Sequence, residues 1–480
     1  GKREPIPTWR ALRVVAERRG YGRVQGLDPP FVGRRDELQL LKDLLTGVGR
    51  DKRARMVSIV GEVGIGKSRL VWELQKYADG LAAPVFWNQG RSSAYGAEGV
   101  ASRALSDMLR GRIGVAEGDD DDIVTAALDV SLDEFVGDAP ERARLQQWLG
   151  ALICCGSSPD GDRAEFDAAI RNFFAHMATN GTTVLVFEDL QWADAGLLDL
   201  VEQLADWLPD SPVLVLALTR PQLLERRPGW TAGRRGVVSL RLGPLSDDEM
   251  GQLVEGMMGE LEPGLRAHII DRAAGVPLYA VELVRSLMGR GLIASVDGKS
   301  TALTDVEEIA VPETLQSLIG ARIDRLDSQH RSLLQDAAIL GNVVTPAGLA
   351  AISGKSEGEV TRGLDGLVRQ ELVEPVRDPR SALHGGFRFV QELVREVGLS
   401  RMSRDVRRAR HVAAARYVES LGGPDDAVVA ADHYLSALEV TAPGSEADAL
   451  RGRAAEVLMS ALARASTLYA NEAVLSLGSR

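Results

Sequence analysis

The feature that most restricts the fold of this chain is an octapeptide with fixed spacing of glycine, lysine and serine. It reads GEVGIGKS over residues 61–68 and matches the pattern G-x-x-x-x-G-K-[ST]. The preceding segment, 56–60, is short, apolar and β-branched, which predicts a buried parallel strand. The following segment, 69–78, repeats apolar residues at helical spacing. Because a phosphate-binding loop joins a strand to a helix in this way, the flanks disfavour a chance glycine-rich turn.

The residue types of this loop suit a bound phosphate. Its glycines let the backbone bend back and let a phosphate approach without obstruction, and the next helix adds its free N–H groups and its dipole. The Lys67 ammonium suits the β- and γ-phosphates, and the Ser68 hydroxyl suits Mg²⁺. The predicted nucleotide-binding residues here are Gly61, Val63, Gly64, Ile65, Gly66, Lys67, Ser68 and Arg69.

Two acids follow a second apolar segment. Residues 182–187 predict a buried strand, which runs directly into Glu188 and Asp189. In a P-loop protein, one such acid holds the hydration shell of Mg²⁺ and the next orients an attacking water. By position we assign Glu188 to the metal and Asp189 to the water. Without the P-loop, the same pair would be typical of a solvated acidic turn.

Arg220 ends another predicted strand, 211–220, where its guanidinium would reach a γ-phosphate. The alternative is a surface arginine at the end of a strand. We therefore predict Lys67, Asp189 and Arg220 as catalytic residues. The tripeptide ending at Pro277 lies in a helical region and is either a contact to the nucleotide or only a helix break.

Composition limits the class of protein. The 480 residues have 45% hydrophobic and 26% charged content, typical of a globular chain of about three domains. A net charge of −12 argues against general nucleic-acid binding. The adjacent Cys154 and Cys155 give neither a disulfide framework nor a zinc pattern. No apolar run reaches the ~18 residues of a membrane span and no secretory signal leads the chain, so we predict a cytoplasmic location.

Patterning divides the chain into a mixed region and a helical one. Five predicted strands alternate with helices, which predicts a parallel sheet covered on both faces. The acidic run at 117–122 predicts a solvated loop rather than a metal site. Helices predicted at 313–326, 328–340 and 356–371 precede a short ribbon, as in a winged helix. Beyond about residue 404 the chain is alanine-rich, which favours stacked helical hairpins of the tetratricopeptide sort.

The motifs in this order resemble a STAND-type signalling ATPase of the AAA+ superfamily. The resemblance rests on FVGR at 31–34, the P-loop, VLVFEDLQWAD at 184–194, LTR at 218–220 and GVPL at 275–278. It implies that ATP or ADP binds with Mg²⁺. It further implies that Val32 and Gly33 line the adenine pocket, and that the turn at Pro277 closes over the nucleotide.

The resemblance also implies an order of domains. A nucleotide-binding α/β P-loop domain at 30–243 would precede a helical lid at 244–311. A winged helix at 312–403, used internally rather than on DNA, would precede the start of a helical-repeat sensor at 404–480. Residues 1–29 read as a basic linker, and residues 1–12 resemble the tail that follows a class III adenylate or guanylate cyclase domain. That likeness implies a cyclase upstream, so we expect the chain to be part of a longer protein.

Two positions depart from this family. Gln191 and Gln391 stand where the family usually shows histidine. The second histidine is thought to help hold the closed, ADP-bound form. Glutamine can still donate one hydrogen bond there, but it cannot become charged.

These observations predict a regulatory switch that binds ATP and Mg²⁺ and hydrolyses ATP slowly. Its repeats would receive an unknown ligand or protein, and its output would be the attached cyclase. The alternative is a transcriptional regulator or DNA-binding AAA+ protein that uses its winged helix or a further helix-turn-helix, with Arg362 and Arg369 near DNA phosphates. Acidic residues on the same segment oppose that alternative. A third possibility is a nucleotide-locked scaffold without turnover.

Overall fold

The structure is a computed structural model that describes residues 29–92, 102–115, 119–153, 163–234, 236–296, 299–302, 312, 314–376, 385–421 and 426–468. Most of the predicted basic linker, both cysteines and the first part of the acidic run lie outside the described residues.

The first region is built on a five-stranded parallel sheet. Its strands are β1 (Arg55–Gly61), β2 (Val85–Arg91), β3 (Thr182–Glu188), β4 (Val213–Thr219) and β5 (Val237–Leu242). They lie in the order β2-β3-β4-β1-β5, and every neighbouring pair is parallel. β1, β3 and β4 are apolar and almost entirely buried, as strands covered on both faces must be.

Side chains alternate between two cores along the central strands. Val57 and Ile59 face one cluster with the helices beside the P-loop, whereas Met56 faces the other. Helices cover both faces, which confirms the predicted fold class. They are α1 (Arg35–Asp51), α2 (Lys67–Asp79), α3 (Ser102–Ile113), α4 (Asp121–Phe135), α5 (Ala139–Ile153), α6 (Arg163–Asn180), α7 (Ala195–Trp207) and α8 (Gln222–Arg226).

The acidic run differs from the loop that the sequence predicts. Asp121 and Asp122 form the first turn of α4 and are exposed. Carboxylates are favourable there because the N-terminus of a helix carries partial positive charge. The described part of the run therefore starts a helix.

The described residues of the predicted lid range form three helices and a small sheet. The helices are α9 (Asp247–Met258), α10 (Pro263–Ala273) and α11 (Pro277–Gly289), and the strands are β6 (Glu260–Leu261), β7 (Ile293–Val296) and β8 (Lys299–Ala302). α9 begins at a capping box formed by Ser246 and Glu249. We call α9–α11 with β6–β8 the lid region.

Where the structure describes it, the predicted winged-helix range forms five helices and a three-stranded antiparallel sheet. The helices are α12 (Leu315–Asp324), α13 (Ser328–Leu340), α14 (Pro346–Ser353), α15 (Glu357–Arg369) and α16 (Glu392–Ser400). The strands β9 (Val343–Val344), β10 (Val373–Pro375) and β11 (Phe387–Phe389) pair in the order β10-β11-β9. We call these elements the winged-helix region. The domain boundaries at 243, 311 and 403 remain predictions.

The C-terminal part is helical, with α17 (Arg404–Leu421), α18 (Asp426–Glu439) and α19 (Ser445–Leu468). Small residues lie at their contacts, as the alanine-rich composition predicts: Ala415, Ala430, Ala431, Ala437 and Ala454 are all buried in one cluster. A buried histidine pair also joins α17 to α18, with 3.1 Å between the Nδ1 atoms of His411 and His433.

Candidate functional site

The loop between β1 and α2 has the shape of a phosphate cradle. Gly64 and Gly66 have φ values of +79° and +106°, in the left-handed region that favours glycine. A Cβ atom at Gly66 would meet nothing within 4 Å, so its surroundings leave room for a ligand. Gly66 also precedes the first turn of α2, whose N-terminal N–H groups face the same space.

Lys67 lies across this loop. Its Nζ donates to the carbonyl oxygens of Gly61 at 2.6 Å and Glu62 at 3.0 Å. Burial lowers the pKa of Lys67 to about 8, and the nearby Asp189 carboxylate opposes that shift. An ammonium held by two neutral carbonyl groups in a partly desolvated place is suited to an anionic ligand.

Of the two predicted acids, Glu188 is the last residue of β3 and Asp189 follows it, and Glu188 already has a strong partner. Glu188 is only 5% exposed, and its Oε2 accepts from Nε and Nη2 of Arg91 at 3.0 and 2.5 Å. The Glu188 carboxylate raises the pKa of Arg91. Sequence reasoning missed Arg91. The only signal is its place as the last residue of β2, directly opposite Glu188 in the parallel register.

Asp189 and Arg220 are joined through a third residue. Asp189 has a left-handed backbone (φ 57°), and its Oδ1 accepts from Nε2 of Gln191 at 3.1 Å. The backbone N–H of Arg220 donates to Oε1 of Gln191 at 3.2 Å. The guanidinium of Arg220 reaches the winged-helix region, where its Nη2 lies 3.1 Å from Oε1 of Glu396.

One cavity brings most of these residues together. The P-loop and the ends of β2, β3 and β4 form one side, and the lid and winged-helix regions form the other. The predicted site residues that line it are Val63, Gly64, Gly66, Lys67, Ser68, Arg69, Glu188, Asp189 and Arg220. Arg91, Leu278 and the segment 388–393 line it as well. All three predicted catalytic residues therefore share one space.

Five other predicted residues do not line this cavity. Gly61 contributes its carbonyl to Lys67, and Ile65 is buried beneath the loop. Val32 packs against the core of the lid region, and Gly33 lies close to Leu245 and Glu249 at the start of that region. Pro277 begins α11, one residue before Leu278. An adenine contact by Val32, Gly33 or Pro277 remains a prediction.

The donor set fits Mg²⁺ that arrives with phosphate. The Ser68 hydroxyl and the Glu188 carboxylate line the same cavity. Mg²⁺ keeps several waters and takes few protein ligands, so a hydroxyl and one acid suffice. Within the described ranges, no three His, Cys, Asp or Glu residues lie together as a metal site. Because Glu188 is paired with Arg91, a metal ion would compete with that guanidinium.

The winged-helix side of the cavity is polar. Nε2 of Gln391 donates to the buried Glu282 of α11 at 3.3 Å, whereas Oε1 of Gln391 is buried with no hydrogen-bond partner among the described residues. Burial raises the pKa of Glu392, although Arg395 donates to it at 2.7 Å. A buried polar atom without a partner at the cavity wall is a place where a ligand donor would be accommodated.

In the alternative, DNA-binding function, α15 would contact the DNA phosphates. Arg362 and Arg369 are exposed there, but so are Glu357, Glu359 and Asp365. This mixture of charges gives no basic face of the kind that binds DNA phosphates.

The α/β region matches a known protein family. Residues 30–216 match the family model of the AAA ATPase domain. The chain is 24% identical over 425 residues to an uncharacterized protein of Rhizobium meliloti (strain 1021); the match covers 85% of this chain and 39% of that protein. The chain therefore spans well under half the length of this relative.

Two solved structures are similar at low identity. A Signal Transduction ATPase with Numerous Domains (STAND) protein with a tetratricopeptide repeat sensor, from Pyrococcus horikoshii, gives a TM-score of 0.48 at 15% identity, over 94% of this chain and 55% of that chain. The Aeropyrum pernix ORC1 protein in complex with DNA gives a TM-score of 0.36 at 15% identity, over 78% of this chain and 93% of that chain. Among the described helices, none combines the length and apolar character needed to cross a membrane.

Proposed function

We propose that this chain binds ATP with Mg²⁺, hydrolyses it slowly and acts as a STAND-type regulatory switch in signal transduction. One observation carries the proposal. The cavity that joins the P-loop, the two acids and Arg220 has its opposite wall in the winged-helix region. A nucleotide bound there would therefore contact two parts of the molecule at once, which is what a switch requires.

Each residue has a chemical task in this proposal. Lys67 and the loop N–H groups bind the phosphates, and Ser68 and Glu188 hold Mg²⁺, which neutralises phosphate charge. Asp189 orients a water molecule and accepts its proton as the water oxygen bonds to the γ-phosphorus. The bond from that phosphorus to the β–γ bridging oxygen breaks, giving ADP and phosphate. Arg220 stabilises the negative charge on the γ-phosphate oxygens.

The switch depends on Arg220. Its guanidinium is 14% exposed and is paired with Glu396 of α16. A γ-phosphate would compete with Glu396 for the same cation, because both are anions that accept from guanidinium N–H groups. ATP would thereby weaken the contact of the winged-helix region, and ADP, which lacks that phosphate, would preserve it. The lid and winged-helix regions would then shift relative to the sheet.

The input and the output of the switch are also proposed. The helices from α17 onward would receive a ligand or protein, and an attached adenylate or guanylate cyclase domain would respond in the cytoplasm. The support for the cyclase is the resemblance of residues 1–12, which lie outside the described residues. The DNA sequence upstream of the codon for Gly1 tests this directly. A frame without a cyclase domain there would exclude this output.

Removal of the Lys67 ammonium tests nucleotide binding. We expect Lys67→Ala to weaken ATP binding in isothermal calorimetry about 10- to 100-fold while the protein stays folded, because a charged hydrogen-bond donor is worth about 1.5–3 kcal/mol. Lys42→Ala is the matched control, since Lys42 lies over the Tyr77 ring outside the cavity. Unchanged ATP affinity in Lys67→Ala would contradict the proposed function.

Turnover separates a switch from a locked scaffold. With radiolabelled ATP in single-turnover conditions, the wild type should release phosphate and Asp189→Asn should release it much more slowly, because an amide cannot accept the proton of water. Equal and negligible rates in both proteins, with ATP bound, would favour the scaffold.

A further inference from the structure

Gln191 is a buried polar residue that the catalytic assignments above do not use. It lies in the short 3-10 turn Leu190–Trp192 that follows β3 and is only 7% exposed. Its side chain is the sole described bridge between the side chain of Asp189 and the backbone of Arg220. A buried carboxamide is costly unless both of its ends are hydrogen-bonded, and here both ends are.

The orientation of the carboxamide is unambiguous. The Arg220 backbone N–H can only donate, so the atom facing it at 3.2 Å must be the Gln191 oxygen. The Asp189 Oδ1, as an ionised carboxylate oxygen, can only accept, so the atom at 3.1 Å must be the Gln191 nitrogen. Each partner therefore fixes one end of the same rigid group.

Both partners lie just past the end of a strand, Asp189 after β3 and Arg220 after β4, and Nε of Arg91 lies 3.5 Å from the Asp189 Oδ2. Asp189 has a left-handed backbone, which is unfavourable for a residue with a side chain and needs support from its neighbours. Arg220 lies one residue past Thr219, the last residue of β4 that pairs with β1. Its backbone N–H would otherwise lack the partner that a strand provides.

We propose that Gln191 is a positioning residue that couples Asp189 to Arg220 and sets the distance between the water site and the γ-phosphate site. This inference rests on the proposed ATP hydrolysis. Gln191 would touch neither water nor phosphate. It would act by holding the Asp189 carboxylate in one rotamer and the start of the Arg220 main chain in one conformation. Misplacement of a catalytic group by about 1 Å can cost roughly 100-fold in rate.

Three substitutions at this position separate the two hydrogen bonds. Gln191→Ala removes both. Gln191→Glu keeps an acceptor for Arg220 but places a carboxylate against Asp189, so that contact becomes repulsive. Gln191→His has two ring nitrogens that can replace the two ends when the ring is neutral, because one donates and the other accepts. A protonated imidazole has two donors and no acceptor for the Arg220 N–H.

The experiment measures calorimetric affinity for ATP and ADP and the single-turnover rate of ATP hydrolysis between pH 5.5 and 8.5. We expect Gln191→Ala and Gln191→Glu to hydrolyse ATP about 10- to 100-fold more slowly, with ADP affinity retained. Gln191→His should retain most of the rate at pH 8 and lose it as the pH falls below the pKa of the new histidine, near 6.5 in an unperturbed site. A wild-type profile with the same acid limb would contradict the inference.

The control is another Gln–Asp hydrogen bond. Gln39 donates to Asp43 at 2.8 Å on the exposed face of α1, and Gln39→Ala should leave rate and pH profile unchanged. Circular dichroism and thermal melting report whether each variant folds, and the histidine variant remains informative if the alanine variant does not fold. If the wild type neither binds nor hydrolyses ATP, the proposed function is wrong. If the wild type hydrolyses ATP and Gln191→Ala does so equally fast, only the role of Gln191 is wrong.

Discussion

The lid region and the winged-helix region contact the P-loop side of the sheet through different chemistry. Leu278 of α11 packs on the loop, and its N–H donates to the Gly64 carbonyl at 3.2 Å. A Cβ atom on Gly64 would lie 2.8 Å from the Leu278 Cβ. The winged-helix contact is instead an ion pair between Arg220 and Glu396, whose side chains are 14% and 31% exposed.

This difference indicates which contact a nucleotide can change. A phosphate offers nothing that replaces the apolar packing of Leu278, so the lid contact is independent of the ligand. Glu396 offers Arg220 a carboxylate, and a phosphate can replace a carboxylate at a guanidinium. We therefore expect the lid contact to stay in place beside the P-loop as a pivot. At the winged-helix contact, we expect phosphate to replace Glu396 as the partner of Arg220.

The largest effect should come from removing the apolar contact. Leu278 is only 8% exposed, and Leu278→Ala should lower the free energy of unfolding by about 3 kcal/mol in urea titrations, because a buried leucine is lost and a cavity remains. Leu40→Ala is the control, since Leu40 is 38% exposed on α1, and it should change stability little. Equal stability of the two variants would show that the lid contact does not act as a packed pivot.

Low pH should weaken a third interface, the histidine pair between α17 and α18, more than the two contacts above. Burial lowers the pKa of His433 to about 4. Burial, together with repulsion from His433 and Arg407, lowers the pKa of His411 to about 3. Both values lie below the ordinary 6.5, so the stabilisation by the neutral pair is complete above pH 6.5 and is lost as the pH falls towards 4 and 3. At pH 5 we expect about 2 kcal/mol of loss for His433 alone.

Hydrogen exchange measures this loss locally. Amides of α17 and α18 should exchange faster at pH 5 than at pH 7.5, after correction for the intrinsic rate. Amides of α11 should not, because neither the Gly64–Leu278 contact nor the Arg220–Glu396 pair contains a histidine. The replacement His433→Gln should flatten the dependence. Parallel acid loss in α11 would contradict the separation of these interfaces.

The smallest effect should come from the ion pair. Glu396→Gln should change stability by less than about 1 kcal/mol, because the pair is partly exposed to solvent. ATP affinity should nevertheless rise up to about fivefold, since the competing anion is gone, and ADP affinity should change less. The gain should shrink at high salt. Glu255→Gln removes a similar ion pair, with Arg266 in the lid region, and should leave both affinities unchanged.

The contacts just compared were not accessible from the sequence. The P-loop, the five strands and the acids after β3 have local patterns, so they could be predicted, and the parallel order of the sheet then brings them to one edge. Glu396 lies 176 residues after Arg220, and nothing in its local sequence distinguishes it from other helical glutamates. Arg91 becomes recognisable only when β2 is known to pair with β3.

The role of Gln191 was also only partly predictable from the sequence. The sequence marks the residue because glutamine stands where the family that the chain resembles usually shows histidine. Its two hydrogen bonds depend on the left-handed turn at Asp189 and on the neighbouring position of β4. Short elements such as α14 and the small lid sheet were missed because they carry few periodic residues.

One cluster of buried residues runs without interruption from Leu245, just before α9, through the winged-helix region to Ala414 of α17. Glu282, 2% exposed, connects the two as well, since it accepts from Arg322 of α12 at 2.8 Å and from Gln391. For anyone expressing fragments, a stop codon between β8 and α12 would divide this cluster and remove Arg322 from Glu282, which would keep Arg285 of its own helix. Such a product should aggregate, whereas a fragment that ends at Gly243 omits the cluster altogether.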